Sequence, residues 1–241
     1  MKAKKGVFHL ECHPGEVAER VIICGAPERV QRASKLLENA ELVSGKRGLL
    51  VYTGGYKGAE VTVATTGMGG ASAAIVAEEL IELGAKTIIR VGTTGALQKE
   101  VDVGDLIIVE GAVPLDGTSR SYSPEGFCPA SSSEVVLALR EAARELGEKR
   151  IHVGLVCSTD AFYLEDVDFV EKWSRRRVLS VEMECAAIIT VARIRGVKAG
   201  GILIVNGNLK KGVVMVSHEE IADREEKALR VAMEALLKVP L

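Results

Sequence analysis

Aromatic side chains are scarce, at 4% of 241 residues, which removes the stacking platforms that RNA-binding modules rely on. A basic excess is missing too. Thirty-one Lys and Arg face 33 Asp and Glu, so no general nucleic-acid binder is expected, and any anionic ligand must be held by a few placed residues. No apolar run approaches the ~20 residues of a membrane-spanning helix. The basic start Met1-Lys2-Ala3-Lys4-Lys5 is followed by no apolar signal core, so a cytoplasmic protein with no membrane partner is expected. The five cysteines, at 12, 24, 128, 157 and 185, form no CxxC pair and have no neighbouring His pattern; they read as buried small hydrophobes, and no metal site is expected. Side-chain amides are depleted, with three Asn and two Gln against many Glu, Lys and Arg, a balance that thermophile proteins tend to show and one in which an intracellular disulfide is allowed.

What is present suits a globular protein. An apolar content of 47% with 27% charged residues supplies a large core and excludes global disorder. The length suits one domain over residues 1–241, with no linker, repeat or low-complexity block. Short apolar runs at 21–24, 87–91, 105–113, 153–157, 178–181 and 201–205 alternate with amphipathic helical patterns at 71–83, 133–146 and 183–195, and another helix follows Pro27. Residues 49–53 and 60–66 flank a glycine-rich hairpin loop at 54–58, and Ser217 is placed to cap a terminal helix reaching residue 237. Such strand–loop–helix units predict an α/β fold: a central mixed twisted sheet flanked by helices. Ligands in such folds bind at the carboxyl ends of strands, which directs attention to Gly25, Gly67 to Gly70, Gly92 to Gly95 and Asn206-Gly207. The irregular stretch 114–132 is long enough to suggest a functional or partner-covered loop.

None of the glycine clusters has dinucleotide or P-loop spacing. Gly25 with Arg29 places backbone N–H groups and a guanidinium at a helix start. Arg90 places a second guanidinium in an apolar run, with the Thr93 hydroxyl three residues on. A buried Arg needs an anionic partner, either a phosphate gripped by the guanidinium fork or a core carboxylate. Glu182 and Glu184 lie at a strand-to-helix junction, where paired acids can act as acid and base, bind metal, accept sugar hydroxyls or simply charge a helix start.

Seven segments, in order, carry a resemblance: Phe8-His9-Leu10, Gly25-Ala26-Pro27-Glu28-Arg29, Lys46-Arg47-Gly48, Thr66-Gly67-Met68-Gly69, Arg90-Val91-Gly92-Thr93-Thr94-Gly95, Ser158-Thr159-Asp160-Ala161-Phe162-Tyr163 and Val181-Glu182-Met183-Glu184. Over about residues 6–237 the chain resembles the nucleoside phosphorylase-I family of purine nucleoside, uridine and archaeal-type 5′-methylthioadenosine phosphorylases. The resemblance implies phosphorolysis of a nucleoside, with inorganic phosphate as co-substrate and no cofactor. It implies a phosphate site of Gly25, Arg29, Arg90 and Thr93, joined by Arg47 from a neighbouring subunit. Ribose contacts would come from Met68, Met183 and Glu184, with His9 supplied across the interface. Thr94, Gly95, Phe162 and Glu182 would line the base, and the implied assembly is a hexamer built as a trimer of dimers.

The chain departs from its relatives around the base. Purine-specific members carry Ser-Asp where this chain has Asn206-Gly207, so the acid that protonates purine N7 is missing. Ala26 likewise replaces an Asp near the phosphate loop. Uridine phosphorylases keep the Asn but follow it with Arg, and they read uracil with a Gln and an Arg just after the Phe-Tyr pair; residues 164–168 here offer neither. Residues 115–119 resemble uridine phosphorylases, whereas 15–21, 161–173 and 181–185 resemble the methylthioadenosine type. A neutral amide at Asn206 or Asn208 can still donate to N7 or bond a 6-oxopurine edge. The expected catalytic set is therefore Arg90, Glu184 and Asn206. Inosine and guanosine are placed first as substrates and uridine second, ahead of a nucleosidase or a non-catalytic relative.

Overall fold

The structure, a computed structural model, describes residues 6–213, 215–217 and 219–241; the basic start at 1–5 lies outside the described residues. Strands and helices alternate as β1 (Arg20–Cys24), α1 (Pro27–Ser34), β2 (Glu38–Ser44), β3 (Val51–Tyr56), β4 (Ala59–Thr65), α2 (Gly70–Glu82), β5 (Thr87–Ala96) and β6 (Leu106–Pro114). The chain continues through α3 (Gly117–Tyr122), α4 (Ser133–Glu145), β7 (Ile151–Ser158), α5 (Val167–Ser174), β8 (Ser180–Glu182), α6 (Cys185–Ile194), β9 (Lys198–Asn208) and α7 (Ala222–Lys238). The strands order as β2-β3-β4-β1-β5-β8-β7-β6-β9, and β9 also pairs with β5, so the far part of the sheet closes on itself. Strand β5 is the hinge of this plan: it runs parallel to β1 and β9 and antiparallel to β8. The expected single α/β domain with a mixed sheet is present; the closure is additional.

Alternation along each strand divides the core. In β1, Ile22 and Cys24 face α1, α4 and α7, while Val21 and Ile23 face α2 and α6. Strand β5 repeats this, with Ile89 and Val91 on the first side and Ile88 on the second. Arg90 follows the parity of Ile88, so its side chain leaves the sheet on the α2–α6 face. No helix among the described residues is long and apolar enough to cross a membrane, and all five cysteines are unpaired.

Several elements differ from the sequence expectation, each for a local reason. Strand β5 does not stop at Gly92 but runs to Ala96, because β9 pairs alongside it to Asn208. Gly54, Gly55 and Tyr56 belong to β3 rather than to the hairpin loop, which is only Lys57-Gly58, both with positive φ. Gly54 is glycine because a Cβ there would stand 2.8 Å from the Glu38 carbonyl of β2. Strand β2 has an exposed, charged edge and so lacks the apolar alternation that reveals strands. The stretch 114–132 contains α3, capped by Asp116, and α5 is capped by Asp166. Ser217 does not cap α7, which begins at Ala222; it bonds Glu220 in the preceding turn.

Candidate active site

Two carboxylates share the Arg90 guanidinium. Its Nε donates to Glu182 Oε2 at 3.2 Å and its Nη2 to Glu184 Oε2 at 2.5 Å, while Nη1 is buried with no hydrogen-bond partner among the described residues. The guanidinium folds back over its own strand. A Cβ at Gly92 would stand 2.6 Å from Nη2, which is why glycine is needed there. Burial works against the charge of Arg90, but Glu184 and Glu182 outweigh it and hold the group more firmly protonated than usual.

The two acids are held differently. Glu182, at the end of β8, accepts from the Ser158 hydroxyl, the Glu184 N–H at 2.9 Å and the Cys185 N–H at 2.9 Å. It thereby caps the start of α6, and its oxygens are occupied inside the fold. Glu184 has fewer ties: beyond Arg90, Oε1 accepts from the Gly69 N–H at 2.6 Å. Burial pushes its carboxyl up, Arg90 pulls it down and Glu182 pushes it up again, with a net rise. Of the two kinds of partner left open for Arg90, the structure shows the core carboxylates.

Around this cluster the strand ends converge. Glu184 ties α6 to the loop after β4, where Gly67 and Gly69 adopt φ of +70° and +87°. Gly25, after β1, is pressed to that loop, since its Cβ would stand 3.3 Å from the Gly67 carbonyl. Thr93, further along β5, is half-buried, with no hydroxyl partner among the described residues. Met68 is 84% exposed and Met183 half-buried. Thr94 donates to the Val181 carbonyl at 2.7 Å, and Gly95 pairs with Val181, which fixes these base candidates beside β8. Phe162 packs edge-on against Tyr163 in a 3₁₀ turn after β7.

Asn206 occupies a β-bulge. Thr94 pairs with Val205 and Gly95 with Gly207, which leaves Asn206 unopposed. The residue is 9% exposed, and Oδ1 is buried with no partner among the described residues. Asn208 differs: its amide donates to the Gln98 and Val101 carbonyls at 2.9 and 2.6 Å, and its Oδ1 accepts from the Lys211 N–H. Both base-binding candidates thus have partners within the fold: the Asn208 amide anchors the strand end to residues 98, 101 and 211, and Glu182 caps α6 and bonds Arg90.

Three expected residues stand in other company. Arg29 donates through Nη2 to Glu225 Oε1 at 2.5 Å, and Arg32 takes the other oxygen at 2.5 Å. His9 bonds Glu79 through Nδ1 at 2.6 Å, and the same carboxylate accepts the His9 and Leu10 N–H groups at 2.8 Å. Arg47 is exposed, with its guanidinium 6.0 Å from the Phe8 ring, and Phe8 meets His9 edge-on. His9, Phe8 and Arg47 thus form one surface group.

The family model described as the phosphorylase superfamily matches residues 19–239. The chain belongs to the phosphorylase superfamily. A uridine phosphorylase of Thermococcus kodakarensis is 40% identical over 95% of this chain and 85% of its own length. A guanosine phosphorylase of Halorubrum lacusprofundi is 38% identical, over 95% and 97%. A DeoD-type purine nucleoside phosphorylase of Bacillus cytotoxicus is 37% identical, over 95% and 98%. A crystal structure of uridine phosphorylase from Vibrio fischeri superposes with a TM-score of 0.87 at 32% identity, covering 99% of this chain and 100% of that one.

Within this phosphorylase-superfamily fold, the residues that the motifs did not reveal are mostly carboxylates. Glu79 and Glu225 each lie on the buried face of an amphipathic helix, Glu79 beside Val76 and Leu80 and Glu225 one turn before Ala228 and Leu229. An acid at a core position of the helical period is the signal that points to them. Glu165 follows the Phe162 turn, is half-buried, and has its carboxyl pushed up to about 7 by burial.

Two predictions follow from these carboxylates. Removing the fully buried Glu225 leaves Arg29 and Arg32 without their shared anion, so Glu225→Ala is expected to destabilise the fold by about 3–5 kcal/mol in urea titrations. A loss below about 1 kcal/mol would mean that the pair is compensated by water. Glu165 has a folded pKa above its unfolded one, so its neutral form favours folding at low pH, and that contribution is lost as pH rises through about 7. Glu165→Gln is expected to raise stability by about 1–2 kcal/mol at pH 8, after discounting for solvent, and to leave it unchanged near pH 4. Equal effects at both pH values would exclude a titrating Glu165.

Proposed function

We propose that this chain cleaves the N-glycosidic bond of nucleosides with inorganic phosphate, releasing the free base and (deoxy)ribose 1-phosphate, with the 6-oxopurine nucleosides inosine and guanosine as its first substrates. The observation that carries the reading is the Arg90 cluster: a buried guanidinium whose Nη1 has no partner among the described residues, beside a carboxylate held by Gly69, with the Thr93 hydroxyl three residues on in β5. An anion that accepts from Arg90 Nη1 and the Thr93 hydroxyl competes with Glu184 for Arg90. Phosphate binding then frees the Glu184 carboxylate to accept the ribose 2′- and 3′-hydroxyls. A phosphate oxygen held under C1′ forms the new C1′–O bond as the C1′–N bond breaks, and the bonding pair leaves with the base. The Glu184 charge favours the cationic sugar of the transition state.

The bulged Asn206 amide supports the choice of base. With a buried, unpartnered Oδ1 and no acid at 207, it suits a neutral hydrogen-bonding edge rather than full protonation. A 6-oxopurine needs less than full protonation to leave. The guanosine and purine phosphorylase relatives agree with this choice. Uridine is the second reading, favoured by the Thermococcus relative and the Vibrio structure. The same reading makes the enzyme a cytoplasmic salvage enzyme that works as a hexamer, a trimer of dimers, in which the exposed Arg47 and the His9 ring complete a neighbour's phosphate and ribose sites. The 74% exposure of Phe8 between them supports a covered surface.

A nucleoside panel assayed with and without phosphate tests the reaction and the base together. Phosphate-dependent release of hypoxanthine and guanine faster than uracil or adenine is expected. Faster uracil release would replace the purine reading, and release without phosphate would replace phosphorolysis by hydrolysis. For Glu184→Gln, loss of charge-assisted bonds to the diol is expected to lower riboside kcat/KM by about 100-fold and to narrow the riboside-to-2′-deoxyriboside ratio. An unchanged ratio would leave Glu184 as a helix-start charge.

A further inference from the structure

The glycines one residue before the ends of β5 and β9 share a cover. Gly95 and Gly207 pair across the strands. A Cβ at Gly207 would stand 3.1 Å from Met215 Cγ and 3.2 Å from its Cα, and a Cβ at Gly95 would stand 2.4 Å from Leu209 Cδ1 and 3.7 Å from Met215 Cε. The Met215 thioether therefore lies across both glycines, beside the bulged Asn206. The covering segment is tied down: the Val216 N–H donates to the Asn206 carbonyl at 2.7 Å, and Val213 exchanges two backbone bonds with Asn208. Met215 is 36% exposed, so one side of it packs on the glycine floor and the other is open to whatever occupies the space above.

We infer that Met215 is a specificity-determining residue: its side chain forms the apolar wall that meets the five-membered ring of a purine, in the space that an acid at position 207 would otherwise enter. This inference rests on the proposed nucleoside phosphorolysis. A methionine suits the task, since its flexible, polarizable side chain adapts to a flat ring edge without offering a proton. The wall and the missing acid are then one feature. Glycine at 207 makes room for Met215, and Met215 excludes a protonating group from the N7 edge. A single-ring base ends before reaching it.

The test is a steady-state comparison of wild type, Met215→Ala and Met215→Leu on inosine, guanosine and uridine, with phosphate varied separately. For Met215→Ala, kcat/KM for the two purine nucleosides is expected to fall about tenfold, mainly through KM, while uridine and the KM for phosphate change less than about twofold. Met215→Leu, of similar volume, is expected to keep the wild-type ratio of inosine to uridine. Equal loss on all three nucleosides, a parallel rise in the KM for phosphate, or no change in any of them would overturn the wall while leaving phosphorolysis standing. A wild-type protein that releases no base with phosphate would remove the reaction and the wall together.

Discussion

One guanidinium shared by two buried carboxylates organises this molecule. Arg90 cannot be left in an apolar sheet without anions, and Glu182 and Glu184 cannot be left there without a cation. Satisfying all three brings β5 to the β8–α6 junction. It also draws in Gly69 through Glu184 and Ser158 through Glu182, so the ends of β4, β5, β7 and β8 are fixed to one point. Glu182 is saturated and structural. Glu184 is held less fully, by Arg90 and backbone N–H groups of neighbouring loops. An asymmetry between two neighbouring acids thus separates scaffold from function.

The sequence made the centre of the fold legible and left its margins obscure. Strands β1, β5 and β9 are buried on both faces and read as apolar runs, α2 and α4 show helical periodicity, and α6 is an apolar helix buried all round from Cys185 to Ala192. Strand β2 was hidden because an exposed edge strand has no apolar face to alternate. Helices α3 and α5 were hidden because they are short, and their Asp caps lie in loops rich in polar residues. The full length of β5 was obscured by its glycines. They read as a turn, yet they are there because a guanidinium and a leucine press on the strand.

The candidate site divides along the same line. Residues carried by contiguous motifs, such as Arg90, Thr93 and Glu184, were found together. Partners supplied from distant helices were not: Glu79 for His9 and Glu225 for Arg29 are separated from them by 70 and 196 residues. Asn206 and Asn208 have the same chemistry and read alike in the sequence. What separates them is a single bulge, which leaves one amide unopposed and turns the other into an anchor. Backbone register of that kind leaves no mark in composition or spacing.

The bond between Arg29 and Glu225 also bears on how the molecule is made. Arg29 belongs to the first helix, and its anion arrives on the last one, after every strand has been synthesised. A nascent chain can pair β1 with β4 and β5 before α7 has been made, but Arg29 then lacks its carboxylate. This corner of the molecule therefore closes later than the sheet on which it rests.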